Sequence, residues 1–126
     1  MLKNLLSLLK RRYIVAASNS FKGLKIAFQK EEAFRVQVIL SIFLIPLAWF
    51  IANSYQQLLM LLMTLFLVMI VELLNTSIEL AVDRIGTEFN ELSGRAKDTG
   101  SAAVALSMFI FVLVWSLIIA ANLGLI

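Results

Sequence analysis

The chain contains no cysteine and no histidine. The first absence removes disulfides and thiol chemistry. The second removes the commonest general base and the commonest transition-metal ligand. Charge is also scarce, at 15% of 126 residues, and it is missing altogether from residues 36–71 and 99–126. Any chemistry must therefore come from carboxylates, lysine, arginine, hydroxyls and a hard cation.

Apolar residues fill the space, at 61% of the chain, with a mean hydropathy of +0.94. That lies outside the soluble globular range. About 20 apolar residues cross a bilayer core, so the first uncharged run suffices for most of two spans and the second for one. The composition predicts an all-α membrane protein of one domain, residues 1–126, with three transmembrane helices. The start, MLKNLLSLLKRRY, breaks its apolar residues with Lys3, Lys10, Arg11 and Arg12 and offers no small-residue cleavage site, so a cleavable signal is not expected.

The charges fall in two zones. Eight of the eleven basic residues lie between Lys3 and Arg35, and all eight acids lie within residues 31–32 and 72–98. By the positive-inside rule these zones are cytoplasmic. The N-terminus is then inside and the C-terminus, after three spans, outside. The net charge of +3 reflects this topology and attraction to anionic headgroups. No basic surface interleaved with aromatics is free to serve nucleic acid, which is excluded as a partner.

Residues 5–30 predict a helix lying on the membrane. Ala17, Phe21, Leu24 and Phe28 share one face, and Lys22, Lys25 and Gln29 share the opposite one. Such a helix serves as a plain anchor or also borders a site. Spans are expected at 34–52, 57–85 and 95–122. Pro46 kinks the first, Trp49 and Tyr55 mark its outer end, and Gly86 stops the second. TEFNELSG, residues 87–94, is expected as a polar cytoplasmic loop.

The second span carries acids. With Glu72 at 0° and a step of about 100° per residue, Asn75 falls near −60°, Thr76 near +40°, Glu79 near −20° and Asp83 near +20°. The polar groups form one seam, roughly 16 Å long. A bare carboxylate at membrane depth costs at least a few kcal/mol. A solvated helix end explains Asp83 and, less well, Glu79; it does not explain Glu72, which follows an unbroken apolar run. Such carboxylates can hold Mg²⁺, act as a general base, or carry a proton or cationic drug across the membrane. Glu31 and Glu32 before the first span, and Arg95, Lys97 and Asp98 at the start of the third, lie at the same cytoplasmic depth. Transport needs polar groups across the whole thickness, whereas a reaction at the interface needs them in one layer. Phosphoryl transfer to a lipid headgroup fits the single layer. GRAKDTGS, from Gly94, lacks the spacing of a P-loop.

VELLNTSIELAVDRIGTEFNELSGRAKDTGSAAV closely resembles the signature of the small prokaryotic diacylglycerol kinases. Its core, E-x-x-N-[ST]-x-[IV]-E-x-x-x-D followed by A-K-D, is matched by Glu72, Asn75, Thr76, Ile78, Glu79 and Asp83, then Ala96, Lys97 and Asp98, with Gly100–Ser101 after them. EEAFR at Glu31–Arg35 and FKGLK at Phe21–Lys25 also resemble the family. The resemblance implies a homotrimer in the bacterial cytoplasmic (inner) membrane, with active sites at subunit boundaries and MgATP-dependent phosphorylation of diacylglycerol to phosphatidic acid. Carried over by position, it implies Glu72 as general base and Glu31 and Glu79 as metal carboxylates. It implies nucleotide contacts from Arg12, Asn19, Glu88, Phe89, Asn90, Lys97 and Asp98, with Glu31 and Glu79 binding ATP through the metal. It implies lipid-substrate contacts from Glu31, Ala33, Phe34, Arg35, Asn75 and Ser101. Asn19 stands where close relatives often carry a tyrosine, and Phe21 where they carry a tryptophan. Undecaprenol, the substrate of some relatives, remains the alternative acceptor, although ELSGRAKDTGSAAV resembles the diacylglycerol branch more. From other classes, a small proton-coupled multidrug transporter and an inert assembly subunit remain open.

Overall fold

The structure, a computed structural model, describes the backbone of residues 2–86 and 88–126, and side chains from residue 9 onward apart from residue 87. The Lys3 side chain and Thr87 therefore lie outside the described residues. Four helices follow in order: α1 (Leu2–Lys30), α2 (Glu32–Ile51), α3 (Tyr55–Ile85) and α4 (Glu91–Asn122). The helices α2, α3 and α4 are long and apolar enough to cross a membrane. At a rise of about 1.5 Å per residue, α2 just spans a hydrocarbon core of about 30 Å, and α3 overshoots it by several turns.

A single residue joins α1 to α2. Glu31 is extended (φ −101°, ψ 114°), yet its N–H still reaches the Ala27 carbonyl at 2.8 Å and its carbonyl accepts from Arg35 N at 3.1 Å. Arg35 Nη1 donates to the Gln29 carbonyl at 3.3 Å, which answers one of the carbonyls orphaned where α1 ends. Ala27 and Phe34 are buried on either side of this corner. The stripe of Phe21, Leu24 and Phe28 on α1 is exposed.

The helix α4 differs from expectation. It begins at Glu91 and not at residue 95, so half of the expected 87–94 loop is helix. Asn90 is the reason: its Oδ1 accepts from Leu92 N at 2.9 Å and Ser93 N at 3.2 Å. A cap of this kind contributes about 1 kcal/mol and offsets a cost of similar size for Gly94 inside a helix. At the other end, Leu125 N reaches the Ala120 carbonyl at 2.9 Å and Gly124 N that of Ala121 at 3.1 Å, with Gly124 at φ 70°. Only glycine adopts this left-handed turn without strain. Gly86, by contrast, ends α3 in extended backbone, at φ 166°.

The most extensive packing is α3 on α4, followed by α2 on α3. The buried core at the α2–α3 turn end comprises Ala48, Leu61, Trp115 and Ile118. Ser41, Thr64 and Ser107 are also buried, each with its hydroxyl bonded within its own helix. Small and hydroxyl residues let membrane helices approach closely. At the same end an amide clasp joins three helices. Gln57 Nε2 donates to Asn122 Oδ1 at 2.9 Å, and Asn122 Nδ2 donates to the Ile51 carbonyl at 2.8 Å and to Gln57 Oε1 at 3.2 Å. Broad apolar flanks on α2 and α4, with Phe43, Phe50, Leu106 and Phe109 among them, stand exposed on the single chain.

Candidate functional site: the carboxylate layer at the α1–α2 corner

The end of the bundle away from the amide clasp gathers the ionisable groups. On α3 the polar seam turns inward at its start: Glu72, Asn75 and Thr76 are 7%, 8% and 9% exposed. One turn later Glu79 is half-buried, and at the end of the helix Asp83 is exposed. The seam therefore passes from protein interior to solvent along its length.

Glu72 is held by a residue that the sequence does not single out. Gln37, from α2, donates through Nε2 to Glu72 Oε2 at 3.4 Å. It lies inside the long uncharged run, and a lone amide in such a run gives little periodic signal. Its presence at membrane depth is the one available cue, since a polar side chain there faces a partner. Among the described residues no hydrogen bond reaches Glu72 Oε1. Glu79 follows Glu72 by two turns on the same seam, and Glu31 borders a cleft with Thr76 of that seam.

Asn75 donates through Nδ2 to Glu79 Oε1 at 2.9 Å. An ionised carboxylate only accepts, so this bond fixes which end of the amide faces Glu79. The other end, Asn75 Oδ1, is buried without a hydrogen-bond partner among the described residues and faces Gly100 of α4.

Lys97 on α4 pairs with Asp83, Nζ to Oδ1, at 2.6 Å. The two side chains are 40% and 57% exposed, so solvent screens the pair and it holds Lys97 loosely. Asp83, which the sequence leaves as a solvated helix end, thus has a specific partner.

The remaining candidates are spread more widely. Phe34 is buried at the corner, Arg35 is half-buried and bonded to Gln29, and Ala33 is exposed. Asp98 and Ser101 are exposed on α4. Glu88, Phe89 and Asn90 lie in the α3–α4 connection, where Phe89 is 96% exposed and Asn90 Oδ1 is occupied by its capping bonds. Arg12 and Asn19 border one shallow hollow of about 350 Å³ on α1, and among the described residues no hydrogen bond joins them to the carboxylates. A second cleft, of about 480 Å³, opens between α1 and α3, with Glu31, Ser20 and Thr76 as polar points among Leu24, Leu73 and Leu80.

Among the described residues no group of three or more His, Cys, Asp or Glu could hold a metal ion. Mg²⁺ does not need such a cage: it takes one or two carboxylates and completes its shell with waters and phosphate oxygens. Glu79 keeps one oxygen beyond its bond to Asn75, and no hydrogen bond from a described residue occupies the side-chain carboxylate of Glu31. The donor set fits a magnesium ion that arrives with phosphates.

Fold and layer together define a helical membrane protein whose ionisable groups are gathered at one end of its bundle. A family model described as prokaryotic diacylglycerol kinase matches residues 18–119. The chain is 43% identical to a diacylglycerol kinase of Escherichia coli (strain K12) over 114 residues, covering 90% of this chain and 93% of that protein. It is 48% identical to one of Haemophilus influenzae over 96 residues, covering 76% and 81%. With one of Helicobacter pylori it shares 43% over 105 residues, covering 83% and 82%. The chain belongs to the prokaryotic diacylglycerol kinase family.

Proposed function

We propose that this chain transfers the γ-phosphate of MgATP to the free hydroxyl of diacylglycerol, giving phosphatidic acid. The observation that carries the mechanism is Glu72: a buried carboxylate on a membrane helix, bonded at Oε2 by Gln37 and, among the described residues, without a hydrogen bond at Oε1. Glu72 Oε1 takes the proton of the lipid hydroxyl as that oxygen attacks the γ-phosphorus in line. The bond from the γ-phosphorus to the bridging oxygen breaks, and ADP leaves. Transfer is direct, because cysteine and histidine are missing and the carboxylates already have work as base and metal ligands.

Glu31 and Glu79 would hold the magnesium, which when bound would supply charge neutralisation to the transferring phosphate. Asn75 orients Glu79 through its 2.9 Å bond. Lys97 leaves its exposed partner Asp83 for a phosphate oxygen, a stronger acceptor in a drier site. Arg12, Asn19, Asp98 and the Glu88–Asn90 connection contact the nucleotide. Asn75, Ser101 and the corner residues Glu31, Ala33, Phe34 and Arg35 receive the lipid, whose acyl chains lie against the apolar wall of the cleft between α1 and α3.

The working unit is a homotrimer in the bacterial cytoplasmic membrane, with the N-terminus and the carboxylate layer inside and the C-terminus outside. The uncovered apolar flanks of α2 and α4 support contact with lipid and with further copies, and the α1 stripe of Phe21, Leu24 and Phe28 suits the membrane surface. Phosphorylation of a panel of lipid alcohols in mixed micelles, with labelled ATP and with or without Mg²⁺, tests the assignment. Labelled phosphatidic acid that depends on Mg²⁺ is expected; exclusive labelling of a polyprenol would overturn the choice of acceptor.

A further inference from the structure

We infer that Gly100 is a positioning residue, whose missing side chain leaves the room that lets Asn75 hold Glu79. The inference rests on the metal role proposed above for Glu79. Gly100 is buried where α4 crosses the seam of α3. A Cβ built on it would overlap Asn75 Oδ1 and come within 3.4 Å of Asn75 Cγ, whereas its contact with Ile78 Cδ1, at 3.7 Å, is ordinary. A glycine between helices commonly serves close approach of two backbones. Here the atoms that a side chain would meet belong to one amide, and no α3 backbone atom is among the three nearest.

The amide cannot simply turn over. Glu79 Oε1 only accepts, so Nδ2 must face it and Oδ1 must face Gly100. Among the described residues Oδ1 is buried with no hydrogen-bond partner, so none of them accounts for its place beside Gly100; the bond on the other side of the amide does. A methyl group at position 100 displaces whatever yields most easily. That is the end of the Asn75 side chain and not either helix, and its displacement breaks the bond to Glu79. Gly100 thus acts on the metal carboxylate through a chain of two contacts, α4 backbone to amide and amide to carboxylate.

The test is binding of Mn²⁺ with a non-hydrolysable ATP analogue to the purified protein in detergent, read by electron paramagnetic resonance. Gly100→Ala is expected to weaken that binding about tenfold, as is Asn75→Ala, because each loses the same charge-assisted bond. In an Asn75→Ala background, Gly100→Ala should add less than about twofold, since the clashing atom is gone. Thermal stability and oligomeric state of Gly100→Ala should match the parent. Parental binding by Gly100→Ala, or an equal loss in both backgrounds, would overturn the inference. Glu79→Gln in the same assay separates the two claims. If Glu79→Gln binds normally, the metal role and the inference fall together. If it binds weakly while Gly100→Ala does not, only the inference falls. Should Gly100→Ala fail to accumulate, the double variant decides: its recovery supports the Asn75 contact, and its failure to recover refutes it.

Discussion

Glu72 and Gln37 illustrate what a single residue discloses and what it hides. Glu72 is legible in the sequence because a carboxylate directly after an uncharged run conflicts with its surroundings, and because a 100° step gathers Asn75, Thr76 and Glu79 around it. Gln37 is not legible, since an isolated amide creates no pattern and its partner lies 35 residues away. If Gln37 orients the base, Gln37→Leu lowers kcat about tenfold and leaves the ATP KM near its parental value. Steady-state kinetics in micelles check this, and an unchanged kcat would remove Gln37 from the site. Lys97 and Asp83 differ in what their loss does, although they form one ion pair. The pair is half exposed, so Asp83→Ala shifts the ATP KM by no more than about fivefold. Lys97→Ala removes the proposed phosphate partner and is expected to cost at least a further tenfold in kcat/KM. Equal effects of the two variants would mean that the pair itself matters.

At the scale of the element, helix count and order follow from the uncharged runs, while boundaries and joints do not. The start of α4 is set by the side chain of Asn90, which the resemblance assigns to the nucleotide; its capping bonds give it a structural task that spacing does not reveal. The α1–α2 joint is reduced to Glu31 because backbone hydrogen bonds continue across it, a continuity invisible in residue types. The Gln57–Asn122 clasp is equally hidden, with partners 65 residues apart. It ties the end of α2, the start of α3 and the end of α4, far from the carboxylates. Asn122→Ala removes one partner of a reciprocal amide pair and the donor to the Ile51 carbonyl, a loss of about 1–3 kcal/mol. Thermal inactivation in detergent should therefore shift down by several degrees, with kcat at room temperature unchanged. A parental inactivation curve would show that the clasp contributes nothing.

In the whole molecule, one end is occupied by structure and the other by chemistry. The turn end carries the aromatic core, where Trp115 and Phe111 lie 5.0 Å apart between ring centres, and the amide clasp. The opposite end carries the carboxylates, Lys97 and the cleft between α1 and α3. This polarity was available from the charge map, because acids and bases cluster at one depth. How the groups meet was not available, because Gln37 reaches Glu72, and Gly100 faces Asn75, only through the packing of α2 and α4 on α3. The arrangement suits the proposed reaction at a membrane face, in which apolar helices would hold the lipid in the bilayer while the carboxylate layer would meet the nucleotide from water. The central claim is that Glu72 is the base of that reaction. The most direct measurement is the rate of Mg²⁺-dependent diacylglycerol phosphorylation by Glu72→Gln, made on protein with the parental oligomeric state and Mn²⁺–nucleotide affinity. A loss of at least about a thousandfold is predicted, within the range that general-base catalysis contributes; a rate within tenfold of the parent would contradict it.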